Sequence, residues 1–312
     1  MGRLKRWLRG PALIAASALI CRLPERPLVA LAELGGEAWY RATPERADQA
    51  RRNLRRVTAW LTAEGLATPL TRAAATDPRA LERLVRLAYR HAARYYLEVA
   101  RAPAVRARDL DERIALDTPD VVAEAFTPGR AAIFVGLHFG ALELPGLFLA
   151  SRVGGAVAPM ETIDDEALQA WFVRTRGAIG VRIVGLREAR RELAAALRAG
   201  TSVGLVGDRD LTRGGTLSDL FGAPASLPLG PALLAIETGA PLYVMGVRRT
   251  ARVGRYVGWL EAVDVSVDGS RRERATATTA AIARAFERVV AVAPEQWWAV
   301  FFPIWPDLEA AA

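Results

Sequence analysis

The spacing of apolar residues changes about one third of the way along the chain. Residues 45–65 and 80–100 are predicted to form helices, and in 80–100 the apolar side chains recur every three or four positions, which is the period of one helix face. From residue 130, short apolar runs that favour strands alternate with helix-like stretches. Buried strands that alternate with helices indicate a parallel sheet with helices packed on it. The predicted fold is α/β, with a central, mostly parallel sheet flanked by helices and a helical N-terminal third.

The predicted elements follow one another without an internal repeat or a Gly/Ser linker. Strands are predicted at 131–137, 156–160, 181–184, 203–206, 241–247 and 256–263. Helices are predicted in the same part of the chain at 142–150, 165–178, 187–199 and 230–238. Gly200 and Gly239 stand where helices should end, because glycine adopts the left-handed conformation of a helix end at little steric cost. We expect a single domain over residues 1–312, helical over 1–110 and α/β over 111–312.

Composition excludes several classes of protein. Of the 312 residues, 52% are hydrophobic, which is enough for a large core and excludes a disordered chain. Cys21 is the only cysteine, so no disulfide can form within the chain. With one cysteine and two histidines, His91 and His138, a zinc site of Cys and His ligands is excluded, and we expect no metal. His91 lies beside an apolar helical stripe and is expected to be structural.

The positive charge of the chain is concentrated at its N-terminus. Residues 1–60 hold 12 basic and five acidic residues, so this segment carries +7 of the net charge of +8. Such an excess predicts an anionic membrane surface or another polyanion as partner. A nucleic-acid-binding protein is the alternative from another class, but no nucleic-acid motif accompanies the charge, and we expect no nucleic-acid partner.

The first 40 residues raise the question of a membrane segment. A basic start is followed by an apolar run over residues 11–20, which Arg22 and Glu25 interrupt. This run is too short to span a bilayer, which takes about 20 apolar residues, and no convincing signal-peptide cleavage site follows it. Two interpretations remain open: an interfacial membrane segment within residues 1–40, and an ordinary helix packed on the domain.

The first candidate for catalysis follows the strand predicted at 131–137. His138 comes directly after this apolar run, between Gly136 and Gly140, and Glu143 lies in the first turn of the next predicted helix. Sites in parallel sheets form at the carboxyl ends of strands. A carboxylate on one imidazole nitrogen would leave the other nitrogen free to act as a general base. The alternative is a core histidine at a strand end.

The second candidate follows the strand predicted at 203–206. Asp208, Arg209 and Asp210 come almost directly after it, and three charges there are costly unless they meet solvent, each other or a ligand. A salt-bridged loop is the alternative. No G-x-S-x-G elbow, P-loop, G-x-G-x-x-G or H-E-x-x-H motif is present. Without a nucleophilic Ser or Cys beside His138, direct transfer by a histidine base is favoured over a covalent intermediate.

These residues resemble a known family. His138 and Glu143 together resemble the H-x4-D/E motif of the lysophospholipid acyltransferase superfamily. Five further segments resemble conserved blocks of the bacterial lipid A lauroyl/myristoyl acyltransferases: 207–211, 220–224, 230–232, 237–241 and 294–297. Details typical of the phosphatidylinositol mannoside acyltransferase branch of that family occur at 51–57, 172–176, 208–213, 235–240 and 305–308.

The resemblance implies an O-acyltransferase that moves a long-chain fatty acyl group from acyl-CoA, as co-substrate, or from acyl carrier protein. The acceptor would be a hydroxyl of a membrane glycolipid of the phosphatidylinositol mannoside type. It further implies a peripheral enzyme on the cytoplasmic face of the plasma (inner) membrane that needs no cofactor. A lipid A or lysophospholipid acyltransferase on the same fold is an alternative, as is an acyl-thioester hydrolase.

The resemblance also assigns roles to residues. His138 matches the catalytic base, Asp208 matches the position of a glutamate that orients it, and Glu143 is the acidic end of the motif. Whether Asp208 or Glu143 pairs with His138 stays open. Glu161 and Arg176 match a glutamate and an arginine that line the site in that branch. Apart from the resemblance, Arg209, Asp210 and Gly140 are expected to bind substrate, the last through backbone N–H groups around it that could stabilise an oxyanion.

Two apolar features complete the prediction. An apolar tunnel is expected to house the acyl chain, with the helix at 142–150 as part of its lining. Five aromatic residues cluster near the C-terminus: Trp297, Trp298, Phe301, Phe302 and Trp305. They fit either an interfacial aromatic belt or packing beneath the sheet, and packing is favoured.

Overall fold

Almost everything from residue 9 to residue 113 is helical. A computed structural model describes residues 9–211 and 214–309. The helices of this first part are α1 (Arg9–Ile20), α2 (Glu25–Ala42), α3 (Pro44–Ala63), α4 (Pro69–Thr76), α5 (Pro78–Arg101) and α6 (Ala107–Arg113). The prediction of a helical N-terminal third is therefore confirmed, and the two helices predicted at 45–65 and 80–100 correspond to α3 and α5.

The long helix α5 shows how local sequence sets these elements. Pro78 occupies its first turn, where the missing N–H is no loss. The Asp77 carboxylate caps the helix by accepting hydrogen bonds from the N–H groups of Arg79 and Ala80, at 2.9 and 3.2 Å. Its apolar stripe, which includes Leu84, is buried against the neighbouring helices as the spacing predicted.

The second part of the chain forms a seven-stranded sheet. Its strands are β1 (Ile114–Leu116), β2 (Ile133–Gly136), β3 (Ala156–Met160), β4 (Val181–Gly185), β5 (Val203–Val206), β8 (Leu242–Arg249) and β9 (Tyr256–Val263). Their order in the sheet is β1-β9-β8-β2-β5-β3-β4. All strand pairs are parallel except β8–β9. The helices between and after them are α7 (Pro119–Ala125), α8 (Glu143–Val153), α9 (Glu166–Gly177), α10 (Ala189–Arg198), α11 (Gly230–Thr238) and α12 (Arg271–Ala291). The predicted fold class is confirmed.

The central strand β2 is buried on both faces, so its side chains supply two cores. Ile133 and Val135 belong to the larger core, which also contains residues of α3, α5, α10, α11 and α12. Phe134 points to the opposite face and packs with residues of α6, α7 and α8. This division follows from the two-residue period of a strand.

A small hairpin that the apolar pattern did not predict lies beside the main sheet. It consists of β6 (Thr216–Leu220) and β7 (Ala223–Leu227), paired in antiparallel fashion. Phe221 in its turn has a φ of 51°, a left-handed conformation that is rare for a non-glycine residue. The Glu287 carboxylate accepts a hydrogen bond from the Phe221 N–H at 2.6 Å and so holds this turn in place.

The aromatic cluster near the C-terminus packs inside the molecule. Trp297 and Trp305 are 1% and 0% exposed, and Phe301 is also buried. The indole N–H of Trp305 donates to the carbonyl of Leu220 at 3.0 Å, which ties the C-terminal segment to the hairpin. The interpretation as packing, rather than as an interfacial belt, is confirmed for these three residues.

Helix α1 lies on the surface but is attached to the rest of the molecule. Its Ser17 hydroxyl donates to the carbonyl of Ala100 at 2.6 Å, and the Gly10 N–H donates to Asp165 at 3.0 Å. Across residues 9–211 and 214–309, none of the helices combines the length and the apolar character that crossing a membrane requires. The basic start of the predicted membrane segment, residues 1–8, lies outside the described residues.

Candidate active site

Two neighbouring parallel strands bring His138 and Asp208 together. Gly136 at the end of β2 is the register partner of Val206 at the end of β5. His138 and Asp208 each follow their strand by two residues, so their side chains lie next to each other. The distance from Nδ1 of His138 to Oδ1 of Asp208 is 2.6 Å. Of the two carboxylates that the sequence left open, Asp208 is therefore the one that pairs with His138.

Asp208 is held by three hydrogen bonds in a buried site. Its side chain is fully buried. Besides the ring of His138, it accepts the backbone N–H of His138 at 2.9 Å and the indole N–H of Trp297 at 2.8 Å. Burial alone would raise the pKa of Asp208, but the positive charge that His138 can carry and these hydrogen bonds hold the pKa below its ordinary value. The residue therefore stays ionised as a fixed negative charge behind the imidazole.

The pairing decides which nitrogen of His138 is available. An ionised carboxylate can only accept, so the proton of the neutral imidazole lies on Nδ1 and the lone pair lies on Nε2. The side chain of His138 is 15% exposed, and the ring of Trp298 packs edge-on against it with the centroids 4.3 Å apart. A histidine held in this way can remove a proton from a hydroxyl group through Nε2.

The backbone that follows His138 is tied down on both sides. We call residues 137–142 the His138 loop. The carbonyl of His138 accepts the N–H of Trp298 at 2.9 Å, and the N–H groups of Gly140 and Ala141 donate to the carbonyls of Gln296 and Val247, at 3.0 and 2.9 Å. These last two N–H groups are committed to the fold, so the prediction that N–H groups around Gly140 stabilise an oxyanion finds no support at these two positions.

Glu143 has a different partner from the one its motif suggested. The guanidinium of Arg176 on α9 binds its carboxylate through two hydrogen bonds, Nη2 to Oε1 at 2.7 Å and Nε to Oε2 at 3.2 Å. The same guanidinium lies 2.9 Å from the sulfur of Met160 at the end of β3. The pair connects the start of α8 to α9, so Glu143 and Arg176, which were predicted separately, form one unit.

The other predicted substrate-binding residues lie at the same edge of the sheet but do not contact His138. The guanidinium of Arg209 stacks over the ring of Phe302, 3.7 Å from its centroid. The Asp210 carboxylate accepts the N–H of Gly215 and the hydroxyl of Ser226, both at 2.9 Å, and so supports the hairpin. Glu161 is exposed directly after β3. The structure therefore separates the His138–Asp208 pair from a set of surrounding charges.

Two apolar hollows open near this edge, on opposite faces of the sheet. One has a volume of about 130 Å³, is lined by Gly146, Leu147, Ile179 and Ile183, and has Glu143 and Arg176 in its wall. The other, of about 320 Å³, lies between α10 and α11, with Arg190 and Arg209 in its wall. Within the described part of the chain, no group of three His, Cys, Asp or Glu side chains is arranged to hold a metal ion.

Sequence reasoning missed two contacts that build the site. Trp297 was noted as part of the aromatic cluster, yet its role as a hydrogen-bond donor to Asp208 was not predicted. Tyr95 on α5 lies within the apolar helical pattern of residues 80–100, which gives no sign that its ring stacks on Trp298, 4.9 Å away, next to His138. The signal available for Trp297 was its place in segment 294–297, which resembles a conserved block.

The site is thus a histidine paired with a buried carboxylate at the edge of an α/β sheet, beside two apolar hollows. The family model of the bacterial lipid A biosynthesis acyltransferases matches residues 70–303, and the chain belongs to that family. It is an O-acyltransferase, as the resemblance predicted.

Two curated relatives share one name, phosphatidylinositol mannoside acyltransferase. The one from Mycolicibacterium smegmatis is 30% identical over 283 residues, which cover 89% of this chain and 86% of the relative. The one from Mycobacterium tuberculosis is 31% identical over 210 residues, which cover 65% of each chain. The resemblance to this branch, first seen in short motifs, therefore extends over most of the chain.

Proposed function

We propose that the protein transfers a long-chain fatty acyl group from an acyl-CoA or acyl carrier protein thioester to a hydroxyl of a membrane glycolipid, with His138 as general base. The observation that carries this proposal is the 2.6 Å contact between Nδ1 of His138 and Asp208, which leaves Nε2 free at the edge of the sheet. The names of the relatives supply the class of acceptor, a phosphatidylinositol-mannoside-like lipid.

The reaction follows from the chemistry of this pair. Nε2 of His138 takes the proton of the acceptor hydroxyl as its oxygen attacks the thioester carbonyl carbon. The tetrahedral intermediate then collapses, the carbon–sulfur bond breaks, and the imidazolium returns the proton to the leaving thiolate. Asp208 stabilises the imidazolium throughout. General base catalysis of this kind contributes a factor of about 10²–10⁴ in rate.

The donor and acceptor would meet around the His138 loop. We assign the acyl chain to the 130 Å³ hollow beside α8, because its walls are mostly apolar and Leu142 of the His138 loop is part of its lining. Arg209 and Arg176 are the candidates to bind phosphate groups of the CoA or of the lipid, since guanidinium groups bind phosphates in a bidentate manner. Glu161 and Asp210 stay candidates for acceptor contacts.

We infer that the protein works at the cytoplasmic face of the inner membrane without spanning it. The +7 charge of residues 1–60 suits an anionic lipid surface. Exposed leucines on α1 and α2, Leu13, Leu19, Leu31 and Leu34, would enter the interfacial region. An acceptor lipid could then reach His138 without leaving the membrane surface entirely.

The test is thiol release from palmitoyl-CoA and from palmitoyl acyl carrier protein, with and without polar lipids of the source organism. We expect release that requires the lipid and falls at least 10²-fold in His138→Ala. The mass of the new lipid identifies the acceptor. Release without any lipid would indicate an acyl-thioester hydrolase instead. If wild type and variant were equally inactive with both donors, the acyl-transfer proposal would be wrong.

A further inference from the structure

A fully buried arginine, Arg249, contacts the backbone of the His138 loop. Arg249 is the last residue of β8, and its side chain is 0% exposed. Its Nη2 donates to the carbonyl of Gly140 at 2.8 Å and to Oε2 of Glu98 at 2.6 Å. Its Nε donates to the second oxygen of Glu98 at 2.7 Å. One guanidinium therefore connects the loop to helix α5 of the helical N-terminal part.

A glutamine holds the same arginine and the same glycine from the other side. The Arg249 N–H donates to Oε1 of Gln296 at 2.8 Å, and Nε2 of Gln296 donates back to the carbonyl of Arg249 at 3.0 Å. The backbone carbonyl of Gln296 accepts the N–H of Gly140 at 3.0 Å. Both polar groups of the Gly140 backbone are thus fixed, one by Arg249 and one by Gln296. We call Glu98, Arg249 and Gln296 the clamp.

The His138 loop packs closely against β8 at Gly140. Gly140 has a φ of +53°, and a Cβ atom at this position would lie 2.0 Å from the carbonyl oxygen of Val247. The backbone therefore passes directly over β8 in a conformation that needs glycine. Without Arg249, the Gly140 carbonyl would be buried without a hydrogen-bond donor. Because the free-energy cost of such an unpaired group is high, we expect the backbone at Gly140 to shift.

A shift of the backbone at Gly140 would displace His138 relative to Asp208, because His138 is only two residues away. The His138 N–H and the His138 ring both donate to Asp208, so a shift of the loop would misalign two of the three hydrogen bonds of that carboxylate. Misplacement of a catalytic group by about 1 Å can cost about 10²-fold in rate. Burying a guanidinium for packing alone would be unfavourable, since an apolar side chain of similar volume avoids the desolvation.

We propose that the clamp positions His138 for catalysis, with Arg249 as its central positioning residue. For the reaction itself the inference rests on the proposed function, but the geometry of the loop can be tested without it. Arg249 touches no substrate in this scheme. It acts through the Gly140 carbonyl. Because its partner Glu98 lies on α5, the helical N-terminal part of the chain also helps to position the His138 loop.

The test combines kinetics with hydrogen exchange in the full chain. In Arg249→Met we expect kcat for palmitoyl transfer to fall about 10–100-fold while KM for palmitoyl-CoA stays within about twofold. Exchange of the Gly140 and Ala141 amides should accelerate at least about tenfold, with β2 and α12 unchanged. Arg249→Lys should restore part of kcat, because one ammonium group can serve Gly140 or Glu98 but cannot reproduce the fork.

The matched control is Arg94→Met. Arg94 lies on α5, as Glu98 does, is 8% exposed, and pairs with Glu33 at 3.4 Å rather than with the loop. This variant should leave kcat and the exchange of the loop amides within about twofold of wild type. It separates the loss of a clamp residue from the loss of any buried arginine.

The possible results distinguish a failure of the clamp proposal from a failure of the proposed function. A folded Arg249→Met variant with normal kcat and normal protection of Gly140 and Ala141 would overturn the proposal. If Arg249→Met does not fold, Glu98→Gln replaces it as the test, because it removes the ion pair with Arg249 but keeps the shape of the side chain. Faster exchange of the Gly140 and Ala141 amides would then support the proposal, and unchanged exchange would overturn it. If wild type transfers no acyl group to any lipid, the proposed function fails, whereas the exchange measurement still supports or overturns the clamp.

Discussion

At the scale of single residues, the pairing of His138 with Asp208 makes a sharp prediction for Asp208→Asn. The amide can donate to Nδ1, which would move the proton of the imidazole to Nε2 and remove the lone pair that the reaction needs. We expect kcat to fall about 10³–10⁴-fold, by analogy with the effect of this change in serine protease triads, while the protein stays folded. Steady-state kinetics of thiol release at saturating lipid would measure it.

Asp208→Glu is the matched control, because it keeps the charge and adds one methylene. It should retain more activity than Asp208→Asn, although the longer side chain must share space with Trp297. Equal activity of Asp208→Asn and wild type would show that the 2.6 Å contact has no part in catalysis.

We expect substitutions of Glu143 to have a different effect from substitutions of Asp208, because the partner of Glu143 is Arg176 rather than His138. Glu143→Gln and Arg176→Gln should each weaken the connection between α8 and α9 and raise KM for the donor more than they lower kcat. The double variant should be about as impaired as either single one, since each change breaks the same ion pair. Additive losses in a double-mutant cycle would mean that the two side chains act independently.

These residues also show how far the sequence could be interpreted. His138, Glu143 and Asp208 could be found because charged or titratable residues directly after apolar strands mark the edge of a parallel sheet. The choice between the two carboxylates depends on β2 and β5 being neighbours, and strand order is not encoded in any short motif. Arg249 could not be singled out, because 41 of the 42 basic residues are arginine and its burial depends on Glu98 from a distant helix.

At the scale of elements, the contact between α2 and α5 predicts a pH-dependent stability. The Glu37 carboxylate on α2 is 8% exposed and is bound by Arg86, by Arg90 at 3.3 Å and by Arg41 at 3.1 Å. The hydrogen bond from Arg86 is the main reason that the pKa of Glu37 lies below its ordinary value of 4.5. Because the folded pKa is lowered, this stabilisation is complete above about pH 4.5 and is lost as the pH falls through the folded pKa.

We therefore expect Glu37→Gln to cost about 1–2 kcal/mol of unfolding free energy at pH 7, since charged hydrogen bonds are lost while the arginines stay partly solvated. The difference in Tm from wild type should shrink below pH 4.5. Glu33→Gln is the control on the same helix, because Glu33 is more exposed and has one partner at 3.4 Å. A Tm difference independent of pH would contradict the role of the Glu37 charge.

Helix α8 allows a test of the acyl-chain hollow. An added Cβ at Gly146 meets no atom within 4 Å, and this residue lines the 130 Å³ hollow. Gly146→Leu should fill part of it and shift the preference from palmitoyl to octanoyl donors by about tenfold in kcat/KM. Gly146→Ala, which stabilises a helix by about 0.5–1 kcal/mol, should keep the chain-length preference. An unchanged preference in Gly146→Leu would place the acyl chain elsewhere.

Elements were predictable to different degrees, for physical reasons. The strands at 156–160, 203–206 and 256–263 agree residue for residue, because each apolar run is bounded by turn-forming or charged residues. The hairpin β6–β7 was missed, since its strands mix polar and apolar side chains and one turn residue, Phe221, is held in a left-handed conformation by Glu287. The strand expected to end at 247 continues to Arg249, whose charge is neutralised inside the molecule.

At the scale of the whole molecule, the surface of α1 and α2 predicts how the protein meets its lipid substrate. Leu31 and Leu34 on α2 are 63% and 66% exposed, and Leu13 and Leu19 on α1 are 54% and 59% exposed. Together with the basic charge of residues 1–60, they favour an anionic interface over a neutral one. We expect co-sedimentation with vesicles that contain phosphatidylinositol, weakened by salt because the charges are screened.

The contribution of the leucines can be separated from that of the charge. Replacing Leu31 and Leu34 together by Gln should weaken vesicle binding about tenfold or more, given about 25 cal/mol for each Å² of apolar surface withdrawn from water. Tm should hardly change, because both side chains are already exposed. Leu217→Gln alters an equally exposed leucine, 63%, on the hairpin and should bind as wild type does. If the double variant bound vesicles normally but the salt dependence persisted, charge alone would hold the enzyme at the membrane, and the apolar face of α1 and α2 would need another explanation.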